Sequence, residues 1–323
     1  ADYADECGFS VPDAEVDECR AAQEAATPED KDTCEDYGTP EAVRAFCNGV
    51  GVAKFNSTIE MVRLENELRA DLNQRAERRL AVLDPLEVVV TDWPGVERRD
   101  DGTWTDGETV MVQAINNHED ESAGRRDVPF GGRLFIERAD FMEEPPKKFF
   151  RMAPGREVRL RYGYYVTCTG VEKDPETGEV LRVLCTHDPA SKGGTTADER
   201  KVKATLHWVA AAHAADVEVR LYDHLFATPN PMGGKDSEDW IRNLNPDSLQ
   251  VVRAKVEPGL ADAEPGFRCQ FERVGYFCVD TVDSRPGAPV FNRAVSLRDS
   301  WAKAEKAEAN KRKQAEQRAA RKG

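Results

Sequence analysis

The sequence predicts a mainly β protein, and two observations support this. From Leu80 onward, short runs rich in β-branched and aromatic residues alternate with turn signals such as Asp92-Trp93-Pro94-Gly95. Many of these runs alternate apolar and polar residues, as in Val158-Arg159-Leu160-Arg161-Tyr162, which is typical of half-buried strands. Regularly spaced short strands favour β-barrels over a βαβ sheet.

Two helices are predicted ahead of the strands. Thr39 is a suitable N-cap and Pro40 suits the first helical position, so a first helix begins there and ends near Asn48-Gly49. A second helix is predicted over about Thr58–Arg75, because apolar residues recur at three- and four-residue steps. These apolar residues are Ile59, Val62, Leu64, Leu68 and Leu72.

Strands are predicted along the rest of the chain. They are Leu86–Thr91, Thr109–Gln113, Gly132–Ile136, Glu157–Tyr165, Val180–Cys185, Ala204–Val209, Val217–Leu221, Leu249–Ala254, Arg268–Phe271, Tyr276–Asp280 and Phe291–Ser296. Lys173–Glu179 predicts a hairpin turn. Residues 302–323 have helix propensity without an apolar stripe. They predict a solvated C-terminal helix or a basic arm that contacts RNA or an acidic partner.

The charge is unevenly distributed. The chain has 323 residues, 60 of them acidic and 45 basic, for a net charge of −15. Residues 1–40 hold 13 acidic and 2 basic residues, so 1–38 read as an acidic extension that is disordered or ordered by a partner. No apolar run approaches the ~18–20 residues of a membrane span. Because so much of the negative charge is local, the total excludes nucleic-acid binding only weakly.

The sequence predicts no catalytic site, no cofactor and no metal site of its own. The five histidines form no HExxH or other close ligand pair, and P-loop, GxGxxG and GxSxG motifs are absent. His207 and His213 lie in an apolar segment and are predicted to be packed. The eight cysteines are too sparse for a disulfide scaffold. No targeting segment is recognisable, and since a cleaved one leaves no trace, cytoplasmic and mitochondrial localisation both stay open.

Arginines are concentrated around one predicted strand. Arg151, Arg156, Arg159 and Arg161 fall within eleven residues. Arg159 and Arg161 share a strand face, because strand side chains alternate. Guanidinium groups beside aromatic residues suit base stacking and phosphate contact. A solvated strand face with Glu partners explains the same pattern equally well.

Several long segments resemble glutaminyl-tRNA synthetases. They are Arg44–Met61, Val128–Val166, Arg200–Phe226, Gln270–Phe277 and Pro289–Trp301. The likeness runs from about Thr39 to Trp301, and only the C-terminal half of that family is represented. The two ATP-site signatures of the family, an HIGH-type motif and a KMSKS-type loop, do not occur in this sequence. The resemblance therefore implies no aminoacylation activity by this chain on its own.

The resemblance implies a small helical connector followed by two anticodon-binding β-barrels, a barrel type also found in a ribosomal protein. The expected boundaries are 39–79 for the connector, 80–146 with 207–301 for the proximal barrel, and 147–206 for the distal barrel. The chain would enter the proximal barrel, cross into the distal one and return. An anticodon loop would lie between them with its bases splayed out.

The resemblance also implies a set of RNA-binding residues. They are Arg78, Arg151, Arg159, Arg161, Gln270 and Arg273. Gln270 and Arg273 would read the middle base of the anticodon, and the other arginines of the barrels would contact flanking bases and phosphates. Arg78 would lie at the junction between connector and barrel.

These observations lead to a first hypothesis, a module that binds a glutamine-type anticodon loop or a related RNA loop. A second hypothesis is a structural subunit of a large assembly, such as an organellar ribosome or another organellar complex. In that case the acidic N-terminus and the basic C-terminal tail would bind protein partners. A third is the C-terminal part of a complete or split glutaminyl-tRNA synthetase.

Overall fold

The computed structural model describes residues 39–51, 59, 61–196, 198, 200, 202–228 and 240–297. Within these residues the chain has 16 strands and two α-helices, so the predicted mainly β class is confirmed. The strands form two seven-stranded sheets and one two-stranded sheet. The predicted acidic extension (1–38) and C-terminal helix (302–323) lie outside the described residues.

The strands are numbered in chain order. They are β1 (Glu77–Arg79), β2 (Ala81–Val82), β3 (Pro85–Val90), β4 (Val110–Ile115), β5 (Arg125–Phe130), β6 (Arg133–Glu137), β7 (Glu157–Leu160), β8 (Tyr165–Lys173), β9 (Val180–Asp188), β10 (Thr205–Leu206), β11 (Val209–Ala210), β12 (Ala215–Tyr222), β13 (Leu249–Val256), β14 (Arg268–Phe271), β15 (Gly275–Val279) and β16 (Val290–Ser296).

The first helix, α1 (Pro40–Val50), begins as predicted. The hydroxyl of Thr39 accepts a hydrogen bond from the backbone N–H of Ala42 at 3.2 Å, which satisfies one of the free donors of the first turn. The helix ends at Val50, and the next residue, Gly51, has a φ of 72°, which lies in the left-handed region that glycine adopts without strain.

The second helix, α2 (Met61–Arg75), ends at the predicted residue but begins after Ile59, later than predicted. Its Leu68 and Leu72 are buried in a cluster with Tyr276 and Val295. The apolar spacing that predicted this helix therefore forms the face that packs on the sheet of β15 and β16.

Barrel A is the sheet with the strand order β1-β14-β15-β16-β12-β13-β2. Its core contains three phenylalanine rings, with Phe271 at 4.1 Å from Phe277 and 5.2 Å from Phe291, measured between ring centroids. Aromatic pairs of this kind contribute about 0.5–1.5 kcal/mol each beyond their buried area.

Barrel B is the sheet with the strand order β10-β7-β8-β9-β3-β6-β11. The separate pair β4–β5 adds Val112 and Phe130 to its core. Phe130 meets Trp208 edge-on at 4.8 Å between ring centroids, and both side chains are fully buried. The pair β4–β5 is therefore packed as part of barrel B.

The strand pairing differs from the predicted division of residues 80–206 between the two barrels. Strand β3 pairs in parallel with β9 and antiparallel with β6, with Val88 opposite both Val183 and Leu134. Strands β3 and β6 therefore lie in the same sheet as β7–β11, not with the strands that follow Ala215. The chain leaves barrel A after Val82, builds barrel B, and re-enters barrel A at Ala215.

Two predicted strands are broken in the structure. Glu157–Tyr165 divides into β7 and β8, because Tyr162 adopts a left-handed conformation with φ 63° and the chain turns there. Ala204–Val209 divides into β10 and β11. Strand β5 was not predicted, because it begins with charged residues and contains Pro129. Proline is compatible with this strand because β5 pairs on one side only, with β4.

The hairpin turn predicted at Lys173–Glu179 is confirmed. It joins β8 to β9, and the backbone N–H of Asp174 donates to Glu179 O at 2.9 Å.

Candidate nucleic-acid interface

Two strained turns, one from each barrel, meet between the barrels. Tyr162 (φ 63°) and Arg273 (φ 67°) are the two residues other than glycine with positive φ among the described residues. Tyr162 follows β7 of barrel B, and Arg273 lies between β14 and β15 of barrel A. The Tyr162 hydroxyl donates to Glu272 Oε1 at 2.7 Å. Such conformations cost about 1–3 kcal/mol each and are concentrated at functional sites.

Glu272 is the centre of a first cluster between the barrels. It is 4% exposed, and its Oε1 accepts hydrogen bonds from Arg161 Nε at 2.8 Å and from the Tyr162 hydroxyl. The guanidinium of Arg161 also lies over the Tyr162 ring, 5.1 Å from its centroid. Arg161 Nη2 lies 2.6 Å from His118 Nε2, and because arginine can only donate, this imidazole nitrogen is the acceptor.

The pKa shifts in this cluster keep Tyr162 and His118 uncharged beside Arg161. Burial, together with the charge of Glu272, raises the pKa of Tyr162 to about 12. Burial, together with the charge of Arg161, lowers the pKa of His118. Burial disfavours the charged form of Arg161, but the Glu272 carboxylate outweighs it and raises the pKa of Arg161. Tyr162 and His118 are therefore neutral at neutral pH.

Asp140 is the centre of a second cluster, and it faces one arginine from each barrel. This carboxylate is 2% exposed. Its Oδ2 lies 2.6 Å from Arg273 Nη1, and its Oδ1 lies 2.9 Å from Arg273 Nη2. Arg151 Nη1 lies 3.1 Å from Asp140 Oδ1 and donates to Ala139 O at 2.9 Å. One buried carboxylate thus orients two arginines.

Arg78 and Gln270 lie opposite each other on the neighbouring strands β1 and β14. They are 3% and 8% exposed. The Arg78 guanidinium donates to Ala76 O, Asn73 O and Asn73 Oδ1, each at 2.7 Å. Cations near the last carbonyl groups of a helix stabilise its end, so Arg78 binds the C-terminal end of α2 to barrel A.

Arg159 has a different environment from Arg161. Its Nε donates to Thr205 Oγ1 at 3.1 Å, and its side chain lies beside Gly194. The predicted alternation is confirmed, because Val158 and Leu160 are buried while the two arginines are partly exposed. A solvated strand face would give each arginine a Glu partner. Of these two, Arg161 alone has one, which is Glu272.

The structure thus brings together three of the six predicted residues around two buried carboxylates. These are Arg151, Arg161 and Arg273. Arg78 and Gln270 form a covered pair beside α2, and Arg159 lies by the loop of Gly194.

Sequence reasoning did not assign a role to Glu272, Asp140 or His118, all of which pair with the predicted arginines. The signal for Glu272 was its place beside Arg273 in the recognised Gln270–Phe277 segment. His207 is buried as predicted, 2% exposed, but it also contacts Arg273. The packed role predicted for His213 is wrong, because this residue is exposed and its Nε2 lies 3.0 Å from Thr109 Oγ1.

No group of three or more metal-ligating side chains occurs among the described residues. In the same part of the chain, neither helix has the length and apolar character needed to cross a membrane.

Two family models match the chain, both described as "tRNA synthetases class I (E and Q), anti-codon binding domain". One matches residues 76–188, which include most of barrel B, and the other matches 205–280, which include most of the second part of barrel A.

Bacterial proteins named glutamine–tRNA ligase are similar over most of the chain. The protein of Rhodopirellula baltica is 52% identical over 267 residues, which are 83% of this chain and 42% of that protein. The protein of Nitrobacter hamburgensis is 50% identical, over 82% of this chain and 45% of that protein. The chain therefore spans less than half the length of the curated relatives it matches.

The fold and the comparisons together define an anticodon-binding β-barrel protein. The chain belongs to the class I (E and Q) tRNA synthetase family, through its anticodon-binding domains.

Proposed function

We propose that this chain binds the anticodon loop of a glutamine tRNA at the surface between barrels A and B. The observation that carries the proposal is the meeting of Arg151, Arg161 and Arg273 at two buried carboxylates beside two strained turns. Their side chains are 45%, 24% and 29% exposed, so each is anchored and also accessible. Anchored guanidinium groups beside Tyr162 suit a single-stranded loop, whose bases are splayed out and read on their edges.

The six predicted residues have different parts in this proposal. Gln270 and Arg273, three residues apart around the β14–β15 turn, read the middle base, Gln270 through the 8% of its surface that is exposed. Arg151, Arg159 and Arg161 contact the flanking bases and phosphates. Since the Arg78 guanidinium is bound to the end of α2, its part is to hold strand β1 beside Gln270.

The test is a gel-shift measurement of glutamine tRNA and an unrelated tRNA at increasing salt. The double variant Arg159→Ala with Arg273→Ala is expected to weaken glutamine tRNA binding at least tenfold, since each specific contact contributes about 1–3 kcal/mol. The slope of log affinity against log salt concentration should become shallower by about 0.7 for each phosphate contact that is lost.

The matched control removes two other arginines, one from each part of the fold. Arg98→Ala with Arg285→Ala changes the net charge by the same amount at exposed positions. It is expected to change binding less than twofold. Equal affinity for both tRNAs, unaffected by the first double variant, would refute the proposal.

We also propose that this chain does not aminoacylate tRNA on its own, since the HIGH-type and KMSKS-type motifs are absent from its sequence. Glutamine-dependent exchange of pyrophosphate into ATP is expected to stay at background with the purified chain. Exchange above background that requires tRNA and glutamine would contradict this.

A second candidate function is that the chain acts as one part of a glutamine–tRNA ligase. The comparisons favour it, because 83% of the chain matches 42% of a ligase. Adding the chain to a catalytic part from that relative should raise aminoacylation of glutamine tRNA in trans. Recruitment to an organellar assembly stays a prediction, which co-purification of a stable particle would test.

A further inference from the structure

We propose that Asp140 and His207 are positioning residues that hold the Arg273 guanidinium with one edge free to bind RNA. The inference rests on the proposed role of Arg273 in RNA binding. It concerns two buried side chains of barrel B that act on an arginine of barrel A.

The hydrogen-bond donors of Arg273 are divided between the protein and the exposed edge. A guanidinium has five N–H donors. Asp140 accepts from Nη1 and Nη2, which uses the two hydrogens that lie between these nitrogens. His207 Nδ1, at 3.2 Å, faces Nη1 and takes its second hydrogen. The Nε–H and the outer Nη2–H remain, and no described residue accepts from them.

These two remaining donors lie parallel on one edge of the guanidinium. Such a pair matches two neighbouring acceptors, as on a base edge or a phosphate, and gives geometric specificity as well as affinity. Arg273 is 29% exposed, whereas Asp140 and His207 are each 2% exposed. The anchoring groups are thus inside the protein, and exposure is confined to the side chain that carries the free edge.

The contact with Arg273 fixes the tautomer of His207. Because Arg273 can only donate, His207 Nδ1 must carry no proton. The proton is then on Nε2, which lies 3.4 Å from Glu137 Oε1. Glu137 is itself held where the chain crosses between barrels, since it accepts from Leu83 N at 2.8 Å and from Asp84 N at 3.1 Å.

The backbone of Arg273 supports the same conclusion. Its φ of 67° is unfavourable for a residue with a side chain. The paired hydrogen bonds to Asp140 favour this turn because they require the side chain to point back across the barrel interface. Asp140 also binds Arg151, so it sets the spacing between two RNA-facing arginines.

The test measures three RNA stem-loops that carry a glutamine anticodon. One is unmodified, one has a different middle base, and one has an uncharged methylphosphonate beside that base. Weaker binding of the second RNA would identify a base edge as the acceptor pair, and weaker binding of the third would identify a phosphate. The variants are Asp140→Asn, Arg273→Gln and their combination.

We expect Arg273→Gln and Asp140→Asn each to reduce, by about tenfold, the affinity ratio between the unmodified stem-loop and the same altered stem-loop. In the Arg273→Gln background, Asp140→Asn should change this affinity ratio less than twofold. Asp216→Asn is the control, since it removes one carboxylate charge at a position that is 59% exposed. An equal loss for all three RNAs, or an undiminished effect in the Arg273→Gln background, would overturn the proposal.

A measurement on the unaltered protein does not depend on folding of the variants. Nitrogen NMR of His207 should show a neutral ring with the proton on Nε2. A proton on Nδ1 would overturn the positioning role. If Arg273→Gln changes no RNA distinction while His207 has the expected tautomer, the proposed role of Arg273 in RNA binding fails and the local geometry stands.

Discussion

Glu257 is expected to be among the most important charged residues for stability. This carboxylate is 3% exposed. It accepts from Arg126 Nε and Nη2, each at 2.8 Å, from Arg79 Nη1 at 3.1 Å, and from the backbone N–H of Leu80 at 3.1 Å. It therefore connects strand β1, the β4–β5 pair and the end of β13.

Glu257→Ala should lower the free energy of unfolding by about 3 kcal/mol. Breaking a buried ion pair costs about 3–5 kcal/mol, because the partner charge is left uncompensated. The lower end applies because Arg79 keeps Glu77, and Arg126 keeps Asn116 Oδ1 at 2.9 Å. At about 2.1 cal/mol/K of unfolding entropy per residue, the melting temperature of this 323-residue chain should fall by roughly 4–5 °C.

The assay is urea and thermal unfolding followed by circular dichroism. Asp216→Ala is the control, since it breaks an ion pair with Lys255 in which Asp216 is 59% exposed. Exposed pairs contribute about 0–1 kcal/mol. A loss below about 1 kcal/mol for Glu257→Ala, equal to that of the control, would refute the view that this carboxylate connects the barrels.

Two further predictions concern the interface itself. Because the pKa of Tyr162 is raised to about 12 in the folded chain, the unfolded state loses this proton first, and the free energy of unfolding should fall as pH rises from about 10 towards 12. Ultraviolet titration of tyrosinate should show the late ionisation disappear in Tyr162→Phe, and an unchanged titration would contradict it. Gly194→Ala places a Cβ 2.8 Å from Arg159 Cδ at φ +78°, so it should displace Arg159 and weaken RNA binding several-fold, at a cost of about 1 kcal/mol in stability. Gly178→Ala, with φ +72° and nothing within 4 Å of the Cβ, is the matched control, and equal effects of the two changes would argue against a role for Arg159.

Local patterns predicted much of the fold because they depend on near neighbours. The N-cap at Thr39, the apolar face of α2 and the alternation of Val158 and Leu160 with two arginines are all set within a few residues. The resemblance indicated the arginines that we propose bind RNA for a related reason, since their segments are continuous in the chain.

The rest depends on contacts between distant residues. Asp140 and Arg273 are 133 positions apart, and Tyr162 and Glu272 are 110 apart. No local pattern indicates that a hydroxyl from one barrel will find a carboxylate of the other. The predicted division of the chain between the barrels differs from the structure for the same reason, since the pairing of β3 with β9 cannot be inferred from either strand alone.

The path of the chain has a consequence for how the protein folds. All strands of barrel B lie in one continuous segment, whereas barrel A joins β1 and β2 to strands that follow Ala215. Closing barrel A requires the ends of a long intervening loop to meet, and this entropic cost is smaller once barrel B has formed and brought them together. Barrel B is therefore expected to fold first, and the proposed RNA-binding surface can exist only after the second, slower closure.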